Sequence, residues 1–133
     1  MKVVLDTNVV VSGLLTRTGT CSIILDLLVD GHFTTAFDAR IMDEYRRVCA
    51  EPRLALDRNA VHEFLHLLDG LAEKVTATPL KAHVPDSDDL PFLEVATEAD
   101  AVLVTGNKKH FPNRVAGPVR VMGPREFLDM LRA

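Results

Sequence analysis

The sequence predicts a single-domain α/β fold of three layers, in which a central parallel sheet of about five strands is flanked by helices. Short apolar, β-branched runs alternate from end to end with segments whose apolar residues recur at helical spacing. The 133 residues also suffice for one hydrophobic core, and the sequence contains no linker or internal repeat. We therefore expect one domain that spans residues 1–133.

The first strand is expected at residues 2–5, which are apolar without polar alternation, as burial on both faces of a sheet requires. A helix is expected over residues 21–30, where apolar side chains repeat at helical spacing. Thr20 or Ser22 can cap its start, and Gly31 can end it. The chain thus begins as a strand followed by a helix.

Residues 33–36 form the next expected strand. Asp38 can cap a helix that runs to about residue 50, because Pro52 blocks its continuation. Asp57 can cap a further helix, in which apolar residues repeat at i, i+3, i+4 and i+7. A second strand with two helices after it is the expected middle of the fold.

Residues 74–78 are the third expected strand. The polar loop at residues 85–89 leads into a helix, and the apolar run at residues 101–105 is the clearest strand in the sequence. A final strand at residues 119–122 precedes a helix that begins at Pro124, a residue well suited to a first turn. The order of elements is that of a parallel sheet covered on both faces.

Net charge, cysteine spacing and the length of the apolar runs argue against several classes of protein. A formal charge of −4 argues against binding nucleic acid mainly through a broad basic surface. Cys21 and Cys49 lack the spacing of a disulfide framework or a metal motif, so we expect reduced core residues. Asp6 and Asn8 interrupt the apolar stretch at residues 3–15, which also falls short of the ~18 residues of a membrane span. A cytoplasmic protein without a membrane segment is expected.

Polar residues follow two of the expected strands at the point where each ends. Residues 6–8 read Asp-Thr-Asn after the first strand, and residues 105–107 read Thr-Gly-Asn after the strand at 101–105. In parallel sheets, ligands bind outside the carboxyl ends of the strands. These two clusters are therefore candidates for a functional site.

A simpler interpretation exists for each acidic residue alone. Asp6, considered by itself, is an ordinary helix or turn cap. Asp86, Asp88 and Asp89 place three carboxylates within four residues, however, where their repulsion is unfavourable unless solvent or a cation offsets it. The combination favours a cation-binding site over capping alone.

Four separated segments together resemble the PIN-domain nucleases. They are KVVLDTNVVVSGLL, ARIMDEYRRV, PDSDDLPFLEVA and ADAVLVTGNKKHF. The most similar group is the toxin components of toxin–antitoxin pairs that are related to the VapC-type toxins. The resemblance runs from Met1 to about Leu131, in the order and spacing of the family.

The resemblance implies acidic residues that hold a catalytic Mg²⁺ or Mn²⁺ ion and polar residues that organise them by hydrogen bonding. The acidic residues are Asp6, Glu44 and Asp89, and the polar ones are Asn8, Ser12 and Thr105. The expected activity is hydrolysis of RNA by a water whose pKa the metal lowers. The resemblance also implies a homodimer and a small antitoxin that covers the acidic pocket.

The sequence departs from the family at Asn107, where the family has a fourth acidic residue. An asparagine oxygen still binds a hard cation directly or through water, but with one negative charge fewer. Loss of a second metal site, weaker Mg²⁺ affinity and low activity all stay open. A PIN-like domain with weakened catalysis, acting as an RNA- or protein-binding module, is therefore the alternative to the endoribonuclease.

RNA contacts must come from scattered cations, because the chain has no basic face. Arg46 and Arg47 follow Glu44, and Lys108 and Lys109 follow Asn107, so these four side chains are candidates for phosphate contacts. Each of them, taken singly, is equally well explained as a solvated surface charge. The choice is left to the structure.

The segment from His62 to His66 spells HExxH, the signature of zinc peptidases. Its helix carries an apolar stripe, so both histidines are expected on a flank that faces water and has no cleft, and no third ligand follows. The zinc peptidase is accordingly the least favoured hypothesis. His32, His83 and His110 show no spacing typical of a triad or metal site and are expected at the surface, with a place near the pocket mouth also open for His110.

Overall fold

A computed structural model describes residues 1–80 and 84–133. The expected surface position of His83 lies outside these residues. The strands are β1 (Lys2–Leu5), β2 (Thr34–Phe37), β3 (Glu73–Lys74), β4 (Val102–Val104) and β5 (Val121–Met122). The helices are α1 (Thr7–Leu15), α2 (Thr20–Val29), α3 (Ala39–Cys49), α4 (Arg58–Leu71), α5 (Leu90–Ala99), α6 (Asn113–Ala116) and α7 (Pro124–Arg132). Short 3₁₀ turns occupy Pro52–Leu54, Ser87–Asp89 and Lys108–His110.

The five strands form one parallel sheet in the order β3-β2-β1-β4-β5. The chain builds outward from β1 through β2 to β3, then crosses back to place β4 on the other side of β1. The order therefore reverses between β1 and β4, and such a switch point is where parallel sheets bind ligands. This topology confirms the predicted fold class.

Helices cover both faces of the sheet. Successive side chains of a strand point to opposite faces, and Val3, Val4 and Leu5 of β1 are all fully buried. Helix α5 packs across β1, β2 and β4, while α2 contacts α1 and α7. The central strand is thus enclosed on both sides, and its carboxyl end is the place where polar side chains begin.

Several expected helix ends are confirmed. Asp38 caps α3 by accepting from the Ile41 amide at 3.1 Å. Asp57 caps α4, and Pro124 occupies the first turn of α7. Gly31, with φ of +84°, follows the end of α2, a conformation that glycine adopts without strain.

Other expectations were wrong. Helix α2 begins after Gly19 without a side-chain cap, and the Ser22 hydroxyl instead donates to the Arg17 carbonyl at 2.9 Å. The third strand was expected over residues 74–78, but β3 pairs with β2 only through Glu73 and Lys74. Strand β3 lies at the edge of the sheet, and its neighbour β2 has four residues, which leaves little length for pairing. Strand β1 has its expected bounds, whereas β2, β4 and β5 differ from theirs by one or two residues.

An ion pair with a buried carboxylate joins α5 to α3 and to the segment after β3. The Glu94 carboxylate is 3% exposed and accepts from Arg40 Nη1 and from the Leu80 amide, both at 2.7 Å. Arg40 also donates to Asp38 at 2.7 Å. These contacts fix the start of α3, the helix that carries Glu44, against the sheet.

No single helix in the described ranges is long and apolar enough to cross a membrane. Helices α1 and α2 meet that test only as a pair, and they are bent by 99° relative to each other. Both helices bury apolar side chains in the core, among them Val10 and Ile24.

Candidate active site

Asp6 and Thr105 meet at the switch point of the sheet. The register pairs Leu5 with Val104, and each strand then continues into one of these polar residues. The Asp6 amide donates to the Val104 carbonyl at 2.9 Å, and the Thr105 hydroxyl donates to Asp6 Oδ2 at 2.7 Å. Asp6 is 3% exposed and Thr105 is fully buried. The first carboxylate is thereby held rigidly at the carboxyl edge of the sheet.

Further donors complete the surroundings of Asp6. Its Oδ1 accepts from the Thr7 amide at 2.8 Å, which makes Asp6 the cap of α1. Asn8 Nδ2 lies 3.3 Å from Asp6 Oδ2, and Asn8 Oδ1 accepts from the Gly106 amide at 3.0 Å. The capping role that the sequence allowed for Asp6 is therefore present, and it coexists with a position in a polar cluster.

Glu44 and Asp89 line the same cleft as Asp6, and the cleft has a volume of about 520 Å³. Glu44 lies on α3, and its Oε2 accepts from the Thr7 hydroxyl. Asp89 ends the 3₁₀ turn before α5, and Asp86 and Asp88 line the cleft beside it. The structure thus brings together three carboxylates that are far apart in the chain.

One oxygen of Asp89 has no hydrogen bond within the described part of the chain, although it is buried. This atom, Oδ2, lies 2.8 Å from His110 Nδ1. The two atoms are in close contact without forming a hydrogen bond. A buried carboxylate oxygen without a donor is unfavourable and calls for a cation or a proton.

Burial raises the pKa of all three carboxylates, and the charge of Asp6 adds to this effect at Glu44 and Asp89. Burial raises the pKa of Asp6, although donation from Thr105 and Thr7 offsets part of this effect. Burial likewise raises the pKa of Glu44, and the nearby Asp6 charge raises it further. For Asp89, burial and the Asp6 carboxylate raise the pKa to about 6. Carboxylates arranged in this way are stabilised by a positive charge among them.

The donor set matches a hard divalent cation, because Mg²⁺ and Mn²⁺ prefer carboxylate oxygens. Among the described residues, however, no three Asp, Glu, His or Cys side chains surround a common point as ligands of one ion would. The Glu44 carboxylate is engaged by Thr7, and Asp6 is engaged by Thr105 and the α1 amide. The chemistry of the cleft therefore fits a metal, while its side chains are not already drawn together around one.

Residues 2–109 match the family model of the PIN domain. The chain belongs to the PIN-domain family. The uncharacterized protein MJ1680 of Methanocaldococcus jannaschii is 29% identical over 140 residues, which cover 97% of this chain and 90% of that protein.

Solved structures share the fold of this PIN domain. The structure of VapBC2 from Rickettsia felis bound to a promoter DNA fragment matches with a TM-score of 0.66 and 18% identity. The match covers 92% of this chain and 98% of that chain. FitAcB from Neisseria gonorrhoeae matches with a TM-score of 0.60 and 19% identity over 92% and 98%. FitAB bound to an IR36 DNA fragment matches with a TM-score of 0.61 and 19% identity over 92% and 94%. At these identities the likeness concerns the fold alone, and it confirms the predicted PIN-like fold.

Two polar residues that the sequence singled out lie beside the acidic cluster of the PIN domain and not in it. The Ser12 side chain is exposed and lies near the Cys21 thiol. The Asn107 amide nitrogen lies 2.9 Å from His110 Nε2, and its backbone amide donates to Thr105 Oγ1 at 3.0 Å. Asn107 therefore reaches the cleft through its neighbours.

The four candidate RNA-binding cations occupy different surfaces. Arg47 lines the acidic cleft and lies 3.7 Å from Glu44 Oε1. Arg46, on the adjacent face of α3, lines a separate pocket of about 290 Å³ between α3 and α4. Lys108 donates to Glu126 of α7 at 2.8 Å, and Lys109 is exposed. Of the four, Arg47 has the position expected for a phosphate contact near the carboxylates.

The HExxH histidines, His62 and His66, are exposed and stack with ring centroids 6.3 Å apart. The expectation that their flank has no cleft was wrong, because both line the pocket between α3 and α4. Arg46 and Arg58 line the same pocket and would repel a zinc ion. The described residues also contain no group of three potential metal ligands there.

Sequence reasoning did not single out three polar side chains of the cleft, Thr7, Arg53 and His110. Thr7 is buried and binds Glu44, and its signal was its position directly after Asp6 at the end of a buried strand. His110 lines the cleft and contacts Asp89, although the sequence predicted a surface residue. No spacing pattern connects His110 to Asp89, because the contact depends on how the loop after β4 folds back towards α5.

Proposed function

We propose that this PIN domain is a metal-dependent endoribonuclease in which Asp6, Glu44 and Asp89 hold Mg²⁺ or Mn²⁺. The observation that carries the proposal is the convergence of these three carboxylates on one cleft at the switch point of the sheet. Asp89 Oδ2 contacts one potential donor in the described structure, His110, so it keeps a lone pair that a cation would bind. Membership of the PIN-domain family supports nuclease chemistry.

A bound Mg²⁺ or Mn²⁺ would supply charge stabilisation for the phosphoryl oxygens and a more acidic water. Asp6 is the fixed member of the group, because hydrogen bonds from Thr105 and Thr7 hold both of its oxygens. Glu44 is half-buried with a raised pKa, so it is suited to orient a water or hold a proton at the cleft. Asp89 contributes a carboxylate from the opposite wall, at the start of α5.

RNA phosphates would be held at the rim of the cleft. Arg47 and Arg53 line it, with exposed side chains that also approach Glu44 and Glu51. Guanidinium groups bind phosphate oxygens in a bidentate way, and such contacts position a strand without reading its sequence. We assign the phosphate contacts to these two residues, with Lys108 and Lys109 as weaker candidates farther along the loop after β4.

The test is cleavage of a fluorescently labelled RNA in Mg²⁺ or Mn²⁺ by the purified protein and its variants. Asp6→Asn and Glu44→Gln should abolish metal-dependent cleavage without loss of the fold. Asp43→Asn is the matched control, because Asp43 is the exposed neighbour of Glu44 on α3 and does not line the cleft. Unchanged turnover in Asp6→Asn would refute the assignment.

A second candidate function is an RNA- or protein-binding module with weakened catalysis. It is favoured by Asn107, whose amide nitrogen faces His110 where the family resemblance expects an acidic residue. Calorimetry separates the two functions. Heat of Mn²⁺ binding at up to millimolar concentration that is lost in Asp6→Asn favours the nuclease, and absence of any heat favours the binding module.

We further infer a cytoplasmic protein that forms a homodimer and is covered by a small antitoxin, as the resemblance to VapC-type toxins implies. The exposed Leu67 and Leu71 of α4 support a partner surface, because they lie one turn apart on the same side of the helix. Light scattering of the purified protein tests the dimer. Loss of RNA cleavage when a candidate antitoxin is added tests the antitoxin.

A further inference from the structure

Both ring nitrogens of His110 lie close to a polar side chain. The residue ends the 3₁₀ turn after β4, and its side chain is 38% exposed at the wall of the cleft. Nδ1 lies 2.8 Å from Asp89 Oδ2, and Nε2 lies 2.9 Å from the Asn107 amide nitrogen. The three side chains form a row that runs from the loop after β4 to the first turn of α5.

The contact with Asn107 decides which ring nitrogen carries the proton. The amide nitrogen of asparagine only donates, so Nε2 of His110 must accept from it. In the neutral ring the proton then lies on Nδ1, the nitrogen that faces Asp89. A small rotation of the ring would align this N–H with the Asp89 oxygen that otherwise has no donor in the described structure.

We propose that His110 is a positioning residue that fixes Asp89 Oδ2 at the cleft, and that Asn107 holds the His110 ring in the orientation this requires. The inference rests on the proposed function, since it gives Asp89 its direction towards a metal. Partners of this kind orient a metal-binding group and commonly change metal affinity by about 10- to 100-fold. Here the imidazole of His110 positions the Asp89 carboxylate, and the Asn107 amide in turn orients that imidazole.

The proposal also accounts for the departure from the family at position 107. An aspartate there could only accept from Nε2, which would move the proton of the neutral ring away from Nδ1 and Asp89. An asparagine presents the donor that the Nδ1–H form needs. The amide thus acts through His110, three residues later in the chain.

Calorimetry with Mn²⁺ tests the proposal on the whole chain. His110→Ala should weaken Mn²⁺ binding by about tenfold or more, while the melting temperature stays within the error of the wild type. His110→Asn should restore most of the affinity, because its amide nitrogen occupies the place of Nδ1, whereas His110→Gln, which mimics Nε2, should not. His32→Ala, at an exposed position, is the matched control. Wild-type affinity in His110→Ala, or equal affinity in the Asn and Gln variants, would overturn the positioning role.

Nitrogen NMR of the metal-free protein supplies a readout that does not depend on catalysis. At mildly alkaline pH the His110 ring should show the Nδ1–H tautomer, and Asn107→Leu should shift the ring towards the Nε2–H form that free histidine prefers. An Nε2–H ring in the wild type would overturn the proposal. Absence of Mn²⁺ binding by the wild type would instead count against the proposed function, and the tautomer would still decide the role of His110.

Discussion

The hydroxyl of Thr105 donates to the carboxylate of Asp6 at 2.7 Å, joining residues that are 99 positions apart in the chain. Each residue lies directly beyond one of two neighbouring parallel strands. The bond therefore closes the carboxyl edge of the sheet at its switch point and orients the most buried carboxylate of the cleft. The geometry of the acidic site begins from this contact.

Thr105→Val should destabilise the protein. Valine keeps the shape of threonine but removes the donor, so a buried carboxylate loses its best hydrogen bond at a cost of about 1–3 kcal/mol. Urea unfolding at pH 7 measures the change. Thr105→Ser keeps the hydroxyl, so its free energy of unfolding should fall by less. Equal decreases in the two variants would show that Thr105 contributes packing and not a hydrogen bond.

Asp89→Asn should change the dependence of stability on pH. The folded protein raises the pKa of Asp89 from 3.8 to about 6, so the folded state binds this proton more tightly than the unfolded chain does. The resulting stabilisation is complete below about pH 4 and is lost as the pH rises through 6. The variant should match the wild type at pH 4 and exceed it at pH 7, by on the order of 1 kcal/mol after allowance for solvent in the cleft.

Urea unfolding with a chelator present, at both pH values, measures this difference. Asp26→Asn, on the exposed side of α2, provides the control for a surface carboxyl. If the free energies of unfolding of the wild type and of Asp89→Asn differ by the same amount at pH 4 and at pH 7, the raised pKa is contradicted.

Glu94→Gln should weaken the attachment of α5 to α3. The carboxylate is buried and accepts from Arg40 and from the Leu80 amide. Removing its charge should cost about 1–3 kcal/mol in the free energy of unfolding, less than for a fully buried pair because Arg40 is half-exposed. Glu98→Gln, on the exposed side of the same helix, should be nearly neutral in urea unfolding. Similar values for the two variants would show that the ion pair contributes little.

Two glycine-to-alanine substitutions within helices should have opposite effects. A Cβ at Gly13 would lie 2.4 Å from Leu25 Cδ1 and 3.0 Å from the Cys21 carbonyl oxygen, so α1 and α2 pack closely at this point. At Gly70 of α4 nothing lies within 4 Å. Helix propensity favours alanine by up to about 1 kcal/mol at both positions, but crowding should cost about 1–3 kcal/mol at Gly13.

Thermal unfolding should therefore show a higher melting temperature for Gly70→Ala and a lower one for Gly13→Ala. A stabilised Gly13→Ala would mean that the two helices separate at little cost.

The parts of the fold that the sequence predicted are those where a local pattern reports burial. Helices α3 and α4 were expected because one apolar stripe repeats and an aspartate caps each start. Helix α1 was not, because apolar and β-branched residues fill most of its length and leave no helical period. The predicted strand at residues 74–78 was longer than the observed β3, because strand propensity does not reveal where a pairing partner ends.

The same distinction holds for the site. Asp6 and Thr105 were predictable, because the ends of parallel strands meet at one edge of the sheet. Glu44 was identified through the family resemblance, since a carboxylate on an amphipathic helix carries no signal of its own. His110 was not identified, because its contact with Asp89 arises from loop conformation and leaves no period or spacing in the sequence.

The central claim is that Asp6, Glu44 and Asp89 share one divalent ion. The most direct test is an anomalous difference map from a crystal soaked in Mn²⁺. The account predicts a single strong peak in the cleft, within coordination distance of oxygens from all three carboxylates. A map without that peak, or with its peak at His62 and His66 instead, would contradict it.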